Sequence, residues 1–439
     1  MIVRKSRIKQ IISYLIGLLA VQNVIYVFKI SNTYINIELF LGFISIVFLM
    51  MFDRKALFEA LRKTDKSLKW YLLSIVLSFL FLINYAMFNQ GTRIISFFNG
   101  LISLLLSLSV YYSVIVYRRY RLSMVKGLWH GLIINTIVSV LQLVMFNIGS
   151  YFSLYDWFPE EFYYVSIKWG MPGTVHLSDI QEWLIYSYRA SGLYLECSYF
   201  VASMTCVLII CWSYRKAKIV DYFLLLVLTI LISMSGSGNF VIYVAILLMY
   251  FSYTFISKIN IKRNFGISKY SVFIIVGALL VIAFAIKEKY IDLTEIISGI
   301  EESVIGANIS DEGNNERLTF MIAAFHFYLT YPIGVGYNMA SNALRAYSST
   351  YAAFNYFLTV LIELGPIGLL AYLNLWQKNI TGVIKNVELP RRAIFIGLLA
   401  AIFFQFANGT GFTHIVWVLL GLSQAERIDK KDRVVGTQE

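Results

Sequence analysis

The sequence predicts an all-α polytopic membrane protein with about twelve transmembrane helices, and three observations lead to that prediction. Hydrophobic residues make up 59% of the 439 residues and charged residues only 14%, whereas a soluble domain carries roughly 25% charged residues. The chain divides into apolar runs long enough to cross the hydrocarbon core of a bilayer. Its Lys and Arg residues gather in alternate segments between those runs, as they do in membrane proteins of fixed orientation.

The apolar runs together predict a single integral membrane domain over residues 1–439. The first run follows a basic segment that includes Arg4 and Lys5, and it lacks a small-residue cleavage site, so we expect a retained first span rather than a signal peptide. The predicted spans are 11–28, 37–52, 70–87, 94–116, 128–148, 192–212, 219–234, 240–256, 271–286, 354–376, 393–407 and 412–423.

The charge distribution predicts that both termini are cytoplasmic. With that orientation most of the 37 Lys and Arg residues fall in inner segments, and Lys and Arg bias sets orientation. Most of the Asp and Glu residues fall in outer segments. The net charge of +12 is therefore spread along one membrane face, where it meets the anionic headgroups of membrane lipid. We therefore expect that the positive charge binds lipid headgroups and that nucleic acid is not a partner.

Two segments between spans are long, and both lie on the predicted outer face. The first, 149–190, is rich in aromatic residues, and the second is 287–353. Long loops that carry this many apolar residues are usually ordered and functional, so we expect two external caps over the helices. Within the second loop, apolar residues at helical spacing predict an amphipathic helix over 316–331 on the outer membrane surface, which Pro332 ends.

Arginines are the main candidate functional residues on the predicted outer face. There is no ATP outside a cell membrane, so a reaction there needs a substrate that arrives activated. Arg189 and Arg317 each lie close to an apolar run, where an arginine is costly, and the guanidinium fork matches phosphate oxygens. Arg93 and Arg345 lie on the same face and would support them. The alternative is that these arginines reach lipid headgroups or pair with outer carboxylates.

Other side chains on this face are candidate acids, bases or ligands. Glu196 lies one helical turn into a span, where it could orient Arg189 by a salt bridge or act as a general base. His414 lies in a short outer turn and could face the same cavity. Gly334 and Gly336 allow a tight turn or a close approach of backbone to a ligand. The cysteines share one apolar run without metal-ligand spacing, so we expect neither a metal nor a cofactor.

Three segments resemble motif regions of the O-antigen polymerase and ligase superfamily, which includes bacterial capsular and exopolysaccharide polymerases. Arg189 to Glu196 resembles its R-x-S-G-x-x-x-E start of a span. Arg317, followed by Pro332 to Gly336, resembles its arginine and P-x-G-x-G segment in a large external loop. The stretch "FNYFLTVLIELGPIGLLAY" from Phe354 resembles the span that follows, with Asn355, Glu363, Gly365 and Gly368 in order.

The resemblance implies glycosyl transfer on the outer face of a bacterial cytoplasmic membrane, by a metal-independent enzyme similar to the mostly helical, GT-C-like membrane glycosyltransferases. The donor would be an oligosaccharide on polyprenyl diphosphate, such as undecaprenyl diphosphate, and the product O-antigen, capsule or exopolysaccharide. A chain-length regulator protein is a further implied partner. Arg189, Arg317 and Glu196 would be catalytic. The substrate-binding candidates are Arg93, Arg345, Gly334, Gly336, Tyr337, Asn338, Asn355 and His414.

One departure from the family pattern bears on the reaction. The family's ligases, and many of its polymerases, carry His-Asn where this chain has Phe354-Asn355. A histidine would be a natural base for an acceptor hydroxyl, so its absence favours a repeat-unit polymerase and leaves the base open, with Glu196 first and His414 second. Two alternatives stay open: a glycan ligase of the same superfamily, and a flippase or transporter for lipid-linked oligosaccharide.

Overall fold

The computed structural model describes most of the predicted spans, and these are helical. The described residues are 2–22, 26–30, 33–89, 92–147, 191–194, 197–216, 218–234, 239–259, 314–348, 353, 355–408 and 414–436. The predicted outer loop 149–190, the predicted span 271–286 and all of 287–313 lie outside them.

Among the described residues, the first half of the chain contains a hairpin and six helices. The strands are β1 (Tyr26–Ile30) and β2 (Thr33–Asn36), which pair antiparallel. The helices are α1 (Ile2–Leu19), α2 (Ile37–Phe52), α3 (Arg54–Arg62), α4 (Lys66–Phe88), α5 (Ile94–Val116) and α6 (Arg121–Asn147), with a 3-10 turn at Arg118–Tyr120 before α6.

The described part of the second half contains eight further helices and a short turn of helix at Leu389–Arg392. The helices are α7 (Cys197–Tyr214), α8 (Ile219–Met234), α9 (Asn239–Ile259), α10 (Asn314–Thr330), α11 (Ala340–Ser348), α12 (Tyr356–Asn386), α13 (Ile394–Asn408) and α14 (His414–Gly436).

Length and apolar composition make several of these helices able to cross a membrane. Among the described residues six stretches qualify: Lys66–Phe88, Ile94–Val116, Arg118–Met145, Cys197–Tyr214, Tyr356–Asn386 and Pro390–Ala407. Shorter apolar helices include Ile219–Ser233 and Asn239–Phe255. Outward-facing Val76 and Leu80 of α4 are more than half exposed, as expected for side chains that meet lipid rather than water. The chain is therefore a helical, multi-pass membrane protein.

The predicted first span is wrong in its bounds, and the all-α prediction misses the hairpin. The apolar run was expected to be one helix over 11–28, but α1 ends at Leu19 and β1 begins at Tyr26. The cause is local composition. "YVFKI" and "TYIN" are rich in β-branched and aromatic residues, which favour strands, and Ser31-Asn32 between them is typical of a turn.

Packing divides the described helices into a main core and a smaller one. The main core joins α1 with α6, and it joins α12 with α4, α13 and α14. The smaller core connects α4 and α5 to α10, α11 and the loop 331–339 between them. Its buried members are Leu82, Tyr85, Phe97, Ala324, Phe327, Val335, Met339, Ala340, Ala343, Leu344, Ala353 and Ile362. This smaller core fixes the segment that contains P-x-G-x-G to the membrane helices.

Carboxylates of α14 form an ion-pair network at the end of the bundle that is predicted to be cytoplasmic. Glu426 lies 3.2 Å from both Arg121 and Arg391, and its side chain is only 4% exposed. The hydroxyl of Tyr214 donates to the same carboxylate at 2.8 Å. One turn on, Asp429 pairs with Arg118 at 2.9 Å. The apolar run predicted a helix only to 423, whereas these pairs hold a helix that continues to Gly436.

We expect Glu426→Ala to lower the free energy of unfolding by about 3 kcal/mol, because it leaves half-buried Arg121 and Arg391 without their shared, buried carboxylate. Thermal unfolding of the purified protein in detergent measures the change. Lys430→Ala, an exposed substitution on the same helix, is the matched control and should stay within about 0.5 kcal/mol of wild type. Equal unfolding temperatures for the two variants would contradict a structural role for the network.

Candidate active site

A break in α12 lies at the centre of the site. Gly365 has φ 68° and ψ −172°, and Pro366 follows it. Pro366 has no N–H, so the carbonyl of Ile362 cannot receive its usual helical hydrogen bond. A bilayer offers no water to take the place of that bond, and an unpaired backbone group there costs several kcal/mol. The break therefore requires a donor from elsewhere in the chain.

The loop 331–339 supplies the missing donors. The N–H of Val335 donates to the carbonyl of Ile362 and the N–H of Gly336 donates to the carbonyl of Glu363, both at 3.0 Å. The P-x-G-x-G segment is thus bonded, through its own backbone, to the opened turn of α12. The loop begins after α10 ends at Thr330, two residues before Pro332.

Glycine is required where the two backbones meet. Gly334 has φ 109°, and a Cβ there would lie 2.8 Å from the Glu363 carbonyl oxygen. Gly336 has φ 104°, and a Cβ there would lie 2.8 Å from the Cβ of Leu82. L side chains rarely adopt such φ values. What approaches these two glycines closely in the structure is protein, and the prediction that they also bind substrate stays a prediction.

Glu363 stabilises the start of the helix that carries Arg345. Its side chain is buried, and Oε1 accepts a hydrogen bond from the N–H of Ala340 at 3.3 Å. The N–H of Asn338 also bonds to this carboxyl group. Ala340 begins α11, and an acidic side chain at a helix N-terminus satisfies unpaired N–H groups and complements the helix dipole. Glu363 therefore connects the broken helix to α11 as well as to the loop.

The same loop reaches α4 and α5 through polar contacts. The N–H of Tyr337 donates to Ser78 Oγ of α4 at 3.1 Å. The side chain of Asn338 donates to the carbonyl of Ser96 at 2.7 Å, and Asn342 of α11 donates to Ser96 Oγ at 2.8 Å. Asn338 is exposed and has φ 60°, in the left-handed region that Asn tolerates. These bonds fix the loop on three helices.

The side chain of Tyr337 is a neutral phenol in this setting. Burial, with Tyr356 and Glu363 nearby, raises the pKa of Tyr337 well above its ordinary value. A phenol with such a pKa keeps its proton at neutral pH, so it can donate a hydrogen bond but cannot serve as a general base.

The remaining predicted residues of this region are dispersed. Arg345 is half-buried in α11, and Arg93 is exposed where α5 begins. Asn355 is buried and caps α12, because its side-chain oxygen accepts from the N–H of Leu358 at 3.1 Å. His414 is the half-buried first residue of α14. The structure thus gives Asn355 a capping role, and it brings Gly334, Gly336, Tyr337 and Asn338 together in one loop.

The two predicted catalytic arginines are placed only in part. The backbone of Arg317 lies in the first turn and a half of α10, and its side chain lies outside the described residues. Ala324 and Phe327 fix that helix in the smaller core. Arg189 and Glu196 lie outside the described residues altogether. The structure describes the segment between them, 191–194, which amide side chains of α6 hold in place.

Sequence reasoning missed several residues that hold these segments. Glu363 was noted only as part of the family resemblance, although a carboxylate inside the apolar run "LTVLIELGPIG" is itself a signal. Asn135 and Gln142 recur on one face of α6, seven residues apart, within an apolar helix. Ser78 and Ser96 gave no sequence signal that separates them from other serines in spans. Within the described ranges, no group of three His, Cys, Asp or Glu side chains could hold a metal ion.

We expect Glu363→Leu to destabilise the protein by about 1–3 kcal/mol, because it leaves the buried N–H of Ala340 without an acceptor. Glu363→Gln keeps an oxygen at the Oε1 position and should retain most of the stability. Thermal unfolding of both variants in detergent makes the comparison. If Leu and Gln at this position unfold at the same temperature, the hydrogen bond from Ala340 does not contribute.

Comparison with known proteins agrees with the resemblance seen in the motifs. Residues 222–373 match the family model described as O-antigen ligase. The match begins in α8, covers α9, α10, the P-x-G-x-G loop and α11, and ends in α12 after the Gly365-Pro366 break. The search among curated proteins gave no match. The expected resemblance to the O-antigen polymerase and ligase superfamily is therefore confirmed, and the similarity spans residues 222–373.

Proposed function

We propose that this protein polymerises oligosaccharide repeat units carried on polyprenyl diphosphate. The observation that carries the proposal is the O-antigen ligase family match over 222–373, since this range includes Arg317, the P-x-G-x-G loop and the broken helix α12. The family acts by glycosyl transfer on lipid-linked oligosaccharide. The reaction would take place on the outer face of a bacterial cytoplasmic membrane, in a GT-C-like arrangement of about twelve spans with both termini inside.

The proposed reaction is a displacement at a sugar carbon. The hydroxyl oxygen of the acceptor repeat unit forms a bond to the anomeric carbon of the donor glycan, and the bond from that carbon to the diphosphate oxygen breaks. The acceptor hydroxyl gives its proton to a base, for which Glu196 is the first candidate and His414 the second. The polyprenyl diphosphate leaves with the bonding electron pair. No nucleotide is needed, because the lipid-linked diphosphate is already an activated leaving group.

Arginine side chains would stabilise the charge that develops on the leaving diphosphate. Arg189 and Arg317 are the proposed ligands, with Arg345 and Arg93 in support, and a metal ion is not required in this scheme. The guanidinium fork suits two phosphate oxygens at once. The Glu363 contact to the N-terminus of α11 supports this role, because it fixes the helix that carries Arg345. Exposed Asn338 and half-buried Asn342, both bonded to Ser96, offer polar groups beside the same loop.

A polymerase fits the sequence better than a ligase does, because Phe354 stands where ligases of the superfamily carry histidine. The family description nevertheless names ligase activity, so a ligase is the second candidate. The products that accumulate when the protein is lost distinguish a polymerase from a ligase. Loss of a polymerase leaves single repeat units on the lipid, whereas loss of a ligase leaves long polymer that is not transferred to its acceptor. A capsule, O-antigen or exopolysaccharide is the expected final product.

We expect Arg189→Lys and Arg317→Lys each to reduce polymerisation by at least about 10²-fold, the usual cost of removing a donor to a developing negative charge. Lysine keeps the charge but cannot bond two oxygens in a fixed plane. The measurement is gel analysis of glycans from a deletion strain complemented with each variant, and it should show single repeats.

The control is Arg62→Lys, an exposed arginine of α3 on the face predicted to be cytoplasmic, which should give glycans of wild-type length. Amounts of each variant in the membrane are compared by immunoblot. Wild-type chain lengths from both Arg189→Lys and Arg317→Lys would refute the proposed role of the two arginines.

A further inference from the structure

Two buried amides on α6 contact the segment that follows Arg189. Asn135 is fully buried and Gln142 is 7% exposed, and the seven-residue spacing places both on one face of the helix. A buried amide in an apolar helix is unfavourable unless its donors and acceptor are bonded. The partners of these two side chains therefore show what the amides do.

Gln142 and Asn135 bond to three consecutive backbone N–H groups. Gln142 Oε1 accepts from the N–H of Ser191 at 3.3 Å and from the N–H of Gly192 at 3.1 Å. Gln142 Nε2 donates to the carbonyl of Gly192 at 3.4 Å. Asn135 Oδ1 accepts from the N–H of Leu193 at 2.8 Å. The two side chains, which we call the amide pair, thus hold a segment that has no regular secondary structure.

Asn135 is itself fixed by hydrogen bonds from its amide nitrogen. Its Nδ2 donates to the carbonyl of Val21 at 2.7 Å and to the carbonyl of Gly131 at 2.9 Å. Gly192 has φ 56°, and a Cβ there would lie 2.7 Å from Asn135 Oδ1. The approach of this backbone to α6 therefore requires glycine at position 192, which is the Gly of the R-x-S-G motif.

We infer that Asn135 and Gln142 are positioning residues that fix the R-x-S-G segment and, through it, Arg189; this inference rests on the proposed function for the role of Arg189. Arg189 precedes Ser191 by two residues, so its Cα lies within about 7 Å of the held segment. A side chain that must meet a diphosphate needs a fixed backbone, since small displacements of a reacting geometry cost large factors in rate. The amide pair supplies that fixed point from within the membrane helices.

The first test measures mobility and does not depend on the proposed reaction. A spin label is attached to Ala190→Cys with a membrane-impermeant reagent; the native cysteines Cys197, Cys206 and Cys211 are buried, and unsubstituted protein serves as the blank. We expect Gln142→Leu to narrow the spectrum of the label, because Ser191 and Gly192 lose their acceptor. The matched control is Thr136→Val, because the buried Thr136 hydroxyl donates to the Leu132 carbonyl of its own helix. An unchanged spectrum in Gln142→Leu overturns the inference.

The second test measures polymer synthesis. We expect Gln142→Leu to reduce polymerisation at least tenfold while Thr136→Val leaves it unchanged, at equal amounts of folded protein. Gln142→Glu keeps an oxygen acceptor for Ser191 and Gly192 and should restore polymer length in part, which a purely volume-filling role would not produce. Wild-type polymer from Gln142→Leu, or equal losses in Gln142→Leu and Thr136→Val, would overturn the positioning role. A wild-type chain that makes no polymer refutes the proposed function instead, and the spin-label result still decides whether the amide pair holds the segment.

Discussion

The hydrogen bonds from Val335 and Gly336 to the opened turn of α12 are the interaction on which the placement of α10, α11 and the loop between them depends. Pro366 and the positive φ of Gly365 leave two carbonyls without helical partners in a helix that crosses the membrane. Such groups must be paired within the protein. The loop 331–339 pairs them, and in doing so it brings α10 and α11 against α4 and α5. The break is thus the position at which the loop joins α10 and α11 to α12, and Glu363 at the same turn stabilises the start of α11.

Different kinds of interaction stabilise the two ends of the bundle. At the end predicted to be cytoplasmic, charged side chains of α14 meet arginines, with Glu426 shared by Arg121 and Arg391. At the opposite end the described contacts are mainly backbone N–H groups bonded to carbonyls and amides. The described contacts of Glu363, for example, are backbone N–H groups of Asn338 and Ala340.

Sequence patterns predict the helices well and their non-local contacts poorly. Apolar runs indicate both ends of α5 and the end of α4, although α4 begins at Lys66 rather than at 70, and Pro332 predicts the end of α10. The hairpin at Tyr26–Asn36 was missed because its apolar residues continue the preceding run. Gly334 and Gly336 were expected to admit a ligand, yet the atoms against them belong to Glu363 and Leu82. A glycine pattern reveals a close approach of backbone, but the approaching partner lies far away in sequence. The sequence shows that Asn135 and Gln142 lie seven residues apart, but it does not show that they bond to residues 191–193.

The backbone character of these contacts also explains what the motifs look like. The R-x-S-G segment contains one glycine, Gly192, and the P-x-G-x-G segment contains two, Gly334 and Gly336. In the structure Gly192, Gly334 and Gly336 all have positive φ, and each lies against atoms of another helix. A backbone that is bonded through its own N–H groups tolerates varied side chains between the glycines. The glycines of both segments therefore mark a path of the chain that contacts with neighbouring helices fix.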